Sequence, residues 1–163
     1  MMKTFLTLSV LLFVVGCSSA QINNDQIKTK IITLDFEQCL LDEKGYSQIR
    51  IEVMKGFKKK KVVKHGFCEY QLWYKDSSVF YVSTDIYSGS RLNYKNLYQI
   101  GTDTYAKSRS LNPVDTILNS GEQVNDHYWL EHVMGDVVIG YVNANSEKKE
   151  IYDQLMKSLK RVE

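Results

Sequence analysis

Apolar and polar residues alternate with a period of two over much of this chain. Ile32, Leu34 and Phe36 alternate with Thr33 and Asp35, and Ile49, Ile51 and Val53 alternate with Arg50 and Glu52. That period puts every second side chain on one side of a strand. Asp42-Glu43-Lys44-Gly45 lies between the two runs and reads as a turn, so a hairpin is expected. Phe67–Lys75 reads as a third strand, with Cys68, Tyr70, Leu72 and Tyr74 on one face and Glu69, Gln71 and Trp73 on the other. Val79–Tyr87 reads as a fourth, joined to it through the short polar loop Asp76-Ser77-Ser78. Tyr128–Met134 and Val137–Val142 are the clearest strands, separated by Gly135-Asp136. Glycine at the first central position of a two-residue loop suits a type II′ turn.

The period lengthens in two places. Asn112-Pro113 offers an N-cap followed by proline at the first helical position. Val114, Ile117 and Leu118 then share a face, and Gly121 can end the element. Between Ser88 and Ser110 the pattern blurs, and Leu97, Tyr98 and Ile100 suggest either a short helix or an irregular strand. At the C-terminus Ile151, Leu155 and Leu159 recur every four residues with Tyr152 and Met156 beside them, behind a cap at Asn145 or Ser146. That is an apolar stripe suited to a sheet surface. Glu147 and Glu150 near its start and Lys157, Lys160 and Arg161 near its end match the helix dipole in sign. The expected fold class is α+β: a mostly antiparallel sheet of about six strands with a C-terminal amphipathic helix packed on it. The closing pattern of Trp129, Gly140-Tyr141, Lys148-Lys149 and Leu155-x-x-x-Leu159 resembles the end of PsbP-like domains, and that resemblance implies helices on an antiparallel sheet.

A different pattern opens the chain. Lys3 precedes an almost unbroken apolar run from Thr4 to Gly16. The run is shorter than the roughly 20 residues a spanning helix needs, and it has the form of an export signal. It ends Val14-Val15-Gly16-Cys17, followed by Ser18-Ser19-Ala20. This junction resembles the lipobox of bacterial lipoproteins, over the first 17 to 20 residues only. The resemblance implies cleavage before Cys17 and acylation of its thiol and amine. Residues 1–16 are then a signal peptide, 17–27 a lipidated cysteine with a polar tether, and 28–163 one globular domain. At full extension such a tether reaches roughly 30 Å. Ser18 rather than Asp after the cysteine resembles the outer-membrane address of enteric lipoproteins. The expected location is the bacterial envelope, facing the periplasm or the exterior. Two other readings stay open. Ser18-x-Ala20 also fits an ordinary small-residue cleavage site, and residues 4–15 could form a buried helix with Cys17 in the core.

Composition narrows the classes further. Twenty-one Lys and Arg against 19 Asp and Glu leave a net charge of +2, too small an excess to suggest nucleic acid as a partner. Of three cysteines, Cys17 is assigned to lipid, which leaves Cys39 and Cys68 as an even pair. An oxidising compartment would allow a disulfide between them, closing a loop whose restraint stabilises by about 3–4 kcal/mol in the chain-entropy model. Two buried free thiols are the alternative.

Candidate chemistry is sparse. Lys58, Lys59, Lys60, Lys61 and Lys64 place five ammonium groups within seven positions. They could meet anionic headgroups, where each lysine contributes about 1 kcal/mol. Otherwise they form a solvated hairpin tip or discourage edge-to-edge strand pairing. Tyr70, Trp73, Tyr74, Tyr81 and Tyr87 could form a partner surface for protein or glycan, although half-buried strands favour aromatics anyway. His65, His127 and His132 do not have metal-ligand spacing, and no metal or cofactor is expected. Ser146-Glu147-Lys148-Lys149 spells Ser-x-x-Lys, but the Ser-Asp-Asn and Lys-Thr-Gly partners are absent and Ser146 suits a helix cap better. Gly-x-Ser-x-Gly, phosphate loops and His-Glu-x-x-His are also absent. The expected function is a non-catalytic, lipid-anchored domain recognising a protein, a glycan or an envelope lipid. The alternatives are a small envelope hydrolase with a site assembled from distant residues, and a structural lipoprotein tethering a larger complex.

Overall fold

The computed structural model describes residues 27–39, 47–86, 92, 117–123 and 125–162. Nine strands and one helix occur among them: β1 (Thr29–Asp35), β2 (Gln48–Met54), β3 (Lys58–Lys64), β4 (Phe67–Trp73), β5 (Val79–Ser83), β6 (Ile117–Gln123), β7 (His127–Met134), β8 (Val137–Ala144), α1 (Ser146–Met156) and β9 (Lys160–Val162). They form a three-stranded sheet in the order β1-β2-β9 and a six-stranded sheet in the order β3-β4-β5-β8-β7-β6. Every pairing is antiparallel. The broad α+β expectation therefore holds, with two sheets and nine strands rather than one sheet of about six.

The β1–β2 hairpin forms in the register the alternation implies, with Ile32 opposite Ile51 and Leu34 opposite Ile49. Its turn, residues 42–45, lies outside the described residues. β7 and β8 turn through Gly135 at φ 63, with Asp136 on the ordinary side of φ, as a type II′ hairpin requires. β3 is a strand that the run of lysines conceals. It returns into β4 through His65 and Gly66, both at positive φ (52° and 81°), which makes a type I′ turn.

The small sheet and α1 together cover one face of the large sheet. Leu34, Ile49, Ile51 and Val53 meet Tyr70, Leu72, Phe80, Ile139 and Tyr141, and Tyr152, Leu155 and Met156 of α1 complete the core. Tyr152 lies 5.2 Å from the ring of Tyr141, stacked, and 5.3 Å from Phe80. The opposite face of the large sheet is buried as well, by a second cluster that includes Val79, Tyr81, Leu92, Trp129, Val138 and Val142. Burial on both faces explains why β5 is buried at every position and why its sequence, Val-Phe-Tyr-Val-Ser, scarcely alternates.

Four expectations are corrected. Ile117–Gln123 is strand β6, paired with β7, and not the second half of a helix. Gly121 is no helix cap: it lies opposite Trp129, and a Cβ there would come within 2.5 Å of the indole nitrogen. Asn112, Pro113 and Val114 lie outside the described residues, as do Leu97, Tyr98 and Ile100. The helix cap is Asn145, whose side chain accepts the Lys148 N–H at 2.9 Å, while Ser146 is the first helical residue. Finally, α1 stops at Met156 with no basic residue in its last turn. Lys160 and Arg161 belong to β9, which pairs with β2. The free edge of β2 attracts the last residues into sheet hydrogen bonds, which outweighs the weak gain from a longer helix.

Candidate functional site

The lysine run is an edge strand. Among the described residues β3 pairs only with β4, and Lys58, Lys59, Lys60, Lys61 and Lys64 are all exposed. Lys59 and Lys61 lie on the side of Tyr70, with their ammonium groups 5.5 and 5.3 Å from its ring centre. Lys61 also donates to the Asp35 carbonyl at 3.1 Å. Lys58, Lys60 and Lys64 lie opposite Trp73, Gln71 and Phe67 and point to the other side. The fold adds three lysines from outside the run. The Lys55 N–H donates to the Lys28 carbonyl at 2.8 Å, and the Lys30 ammonium sits 4.5 Å from the ring centre of Phe57, one residue before β3. Lys28, Lys30 and Lys55 are exposed too, so lysines from separate stretches collect at the pole where β1 begins. The hairpin register, with Thr29 opposite Met54, is the signal that places Lys28 beside Lys55.

A groove of about 590 Å³ opens at the same pole, between the start of β1, the end of β2 and the first turn of α1. Lys28, Lys55, Met54, Tyr74, Glu147 and Lys148 line it. In one wall the Lys148 ammonium pairs with Asp76 at 2.6 Å, donates to the Ser78 hydroxyl at 3.0 Å and sits over the Tyr74 ring. Ser78 is in turn 2.9 Å from the Tyr152 hydroxyl. Burial alone would raise the Asp76 carboxyl, but hydrogen bonds from Lys148 and Ser78 outweigh it and hold the group below its ordinary value. A serine beside a lysine and a tyrosine invites comparison with a nucleophile and its base. The contacts are structural instead: Lys148 pairs with Asp76, Asp76 also accepts from the Ser78 hydroxyl at 2.8 Å, and Ser78 is fully buried. The network pins the β4–β5 turn to the start of α1.

The aromatic residues proposed as a partner surface are mostly interior. Tyr70, Tyr74 and Tyr81 are buried, at 6%, 9% and 0% exposure, and Trp73 is half-buried. Tyr87 lies outside the described residues. The expectation of an open tyrosine face is corrected at those three positions, because their hydroxyls find partners inside. Tyr70 donates to the Asp35 carbonyl at 2.8 Å and Tyr74 to the Met54 carbonyl at 3.2 Å, so each ties the large sheet to the small one. Tyr81 donates to Glu131 at 2.9 Å across β8. Beside it Gln71 donates to Glu69 and accepts from the Trp73 indole at 3.0 Å. This polar row on the second face was not legible as a unit, since its members come from three strands scattered along the chain.

His132 lines a smaller groove of about 350 Å³ with Leu130, Met134, Asp153, Met156 and Lys157, and burial lowers its pKa. Cys39 and Cys68 are bridged, with Cα atoms 5.5 Å apart, within the range a disulfide requires. Among the described residues no three His, Cys, Asp or Glu side chains cluster as a metal site would, and no helix is long and apolar enough to cross a membrane. The chain matches no protein-family model, no curated protein and no solved structure.

Proposed function

We propose that this chain is a lipid-anchored protein of the bacterial cell envelope, whose domain at 28–163 binds a partner and carries out no chemistry. The observation that carries the reading is the allocation of its three cysteines. The pairing of Cys39 with Cys68 fits an oxidising compartment and leaves Cys17 outside the bridge, at the Gly16-Cys17 junction behind a short apolar run. The binding role is supported by grooves at the surface, while the contact of Ser78 with Lys148 and Tyr152 is engaged in holding α1 in place. Ser18 favours the outer membrane in a Gram-negative host. The partner class is a protein, a glycan or an envelope lipid.

The test is the mass of the protein purified from its native membrane. A chain that starts at Cys17 and carries acyl groups on that residue is expected. Cys17→Ser should abolish the acyl mass and leave only membrane association that high salt removes. A natural product that retains Met1, or an unacylated Cys17, would overturn the anchored reading.

A further inference from the structure

We propose that the β3 edge and the adjoining pole form a docking surface for an anionic phospholipid bilayer, which lays the domain down on the membrane. The surface comprises Lys58, Lys59, Lys60 and Lys64 along β3, with Lys28, Lys30 and Lys55 at the pole. Among the described residues, no ion pair engages any of these seven, the ion pairs being those of Lys148, Lys149 and Arg161. The acidic groups near them have other partners: Glu52 accepts from Thr29, Asp76 from Lys148, and Glu69, opposite Val62 on the face of Lys60 and Lys64, is buried and accepts from Gln71. Glu147 faces Lys28 and Lys55 across the groove, one carboxylate against two ammonium groups. Asp35 lies near Lys61, which is therefore left out of the set.

The chemistry of the patch favours a diffuse anionic surface over a shaped ligand. It contains lysine only. Arginine, with its planar fork, serves bidentate recognition of a single phosphate or carboxylate, whereas lysine supplies a mobile point charge. The ammonium groups project from both sides of one strand and around the adjoining pole, and of the seven only Lys28 and Lys55 line the groove there. Exposed Val63, at 59%, adds apolar contact on the same edge. Lysines on an edge also oppose the addition of a further strand, which weighs against a peptide pairing there. The pole is where residue 27 joins β1, so a lipid at Cys17 would hold this end towards the bilayer. That orientation rests on the anchored reading. The attraction itself does not.

The mature chain from residue 17, carrying Cys17→Ser and so lacking both the apolar run and the lipid, separates the two, tested by flotation with vesicles of phosphatidylcholine alone or mixed with phosphatidylglycerol. Preferential binding to the mixed vesicles is expected, weakening as salt rises. Lys58→Gln, Lys59→Gln, Lys60→Gln and Lys64→Gln together should reduce it several hundredfold, at about fivefold per lysine. Lys28→Gln, Lys30→Gln and Lys55→Gln together should reduce it about a hundredfold by the same rule. Lys157→Gln with Lys160→Gln, away from the pole, should change nothing. Retention of the Cys39–Cys68 bridge and of far-ultraviolet circular dichroism checks folding. Equal binding to both vesicle types, or binding untouched by either lysine set, would overturn the proposal and leave the anchor standing. Capture of polyglutamate without preference for phosphatidylglycerol would also overturn it, assigning the edge to an acidic protein segment.

Discussion

At Gly140 the second face of the large sheet depends on a missing side chain. Gln71, Tyr81, Gly140 and Glu131 stand in register across β4, β5, β8 and β7. A Cβ on Gly140 would lie 2.5 Å from the Tyr81 hydroxyl and closer still to the Leu130 carbonyl. The gap lets Tyr81 lie across β8 and reach Glu131. Gly140→Ala is expected to destabilise by about 1–3 kcal/mol, the usual cost of overpacking a tight interior. Urea denaturation should show a lower midpoint at unchanged slope; an unchanged midpoint would mean that Tyr81 has room to withdraw. Alternation identified the face on which Gln71 lies, but not that of Tyr81, since β5 scarcely alternates. It could not tell that Tyr70, Tyr74 and Tyr81 are interior, because tyrosine has an apolar body and a polar tip and fits a surface or a satisfied core equally well.

At the scale of elements, the existence of a strand or helix was easier to read than its ends. α1 was legible because Tyr152, Leu155 and Met156 recur at helical spacing and are the positions that reach the core. Its end was not, because β9 forms only when β2 presents an open edge. Arg161 secures that last strand by donating to Asp136 and to the Met134 carbonyl, in the β7–β8 turn. The other oxygen of Asp136 is buried without a partner among the described residues, so the carboxylate relies on Arg161. Arg161→Ala should therefore destabilise by about 1–3 kcal/mol, the penalty for stranding a buried acceptor. Adding Asp136→Ala should recover part of that loss. Strict additivity of the two in a double-mutant cycle would refute the coupling. β3 escaped notice for another reason: a strand that is solvated along its length has no apolar alternation to reveal it.

For the whole molecule, Tyr74, Tyr141 and Tyr152 lie where the large sheet meets α1 and the small sheet, and burial raises the pKa of each above the ordinary value of 10.0. Asp153 pushes Tyr141 further in the same direction, whereas Ser78 partly opposes the shift at Tyr152. The folded state thus binds these protons more tightly than the unfolded state. Their contribution to stability is complete below pH 10 and is lost progressively as the pH rises above it. Tyrosinate absorbance from these residues should appear together with loss of the near-ultraviolet circular dichroism. Their ionisation near pH 10 in an intact fold would contradict the packing described.

From the order of residues alone came the paired strands, the closing helix and the cysteine pair, because each rests on chemistry or periodicity within a short stretch. Tertiary structure decided which polar faces are buried and where the last residues go. It also decided which distant lysines become neighbours. Those outcomes depend on what a second layer of structure covers, and coverage is a property of residues far apart in the chain.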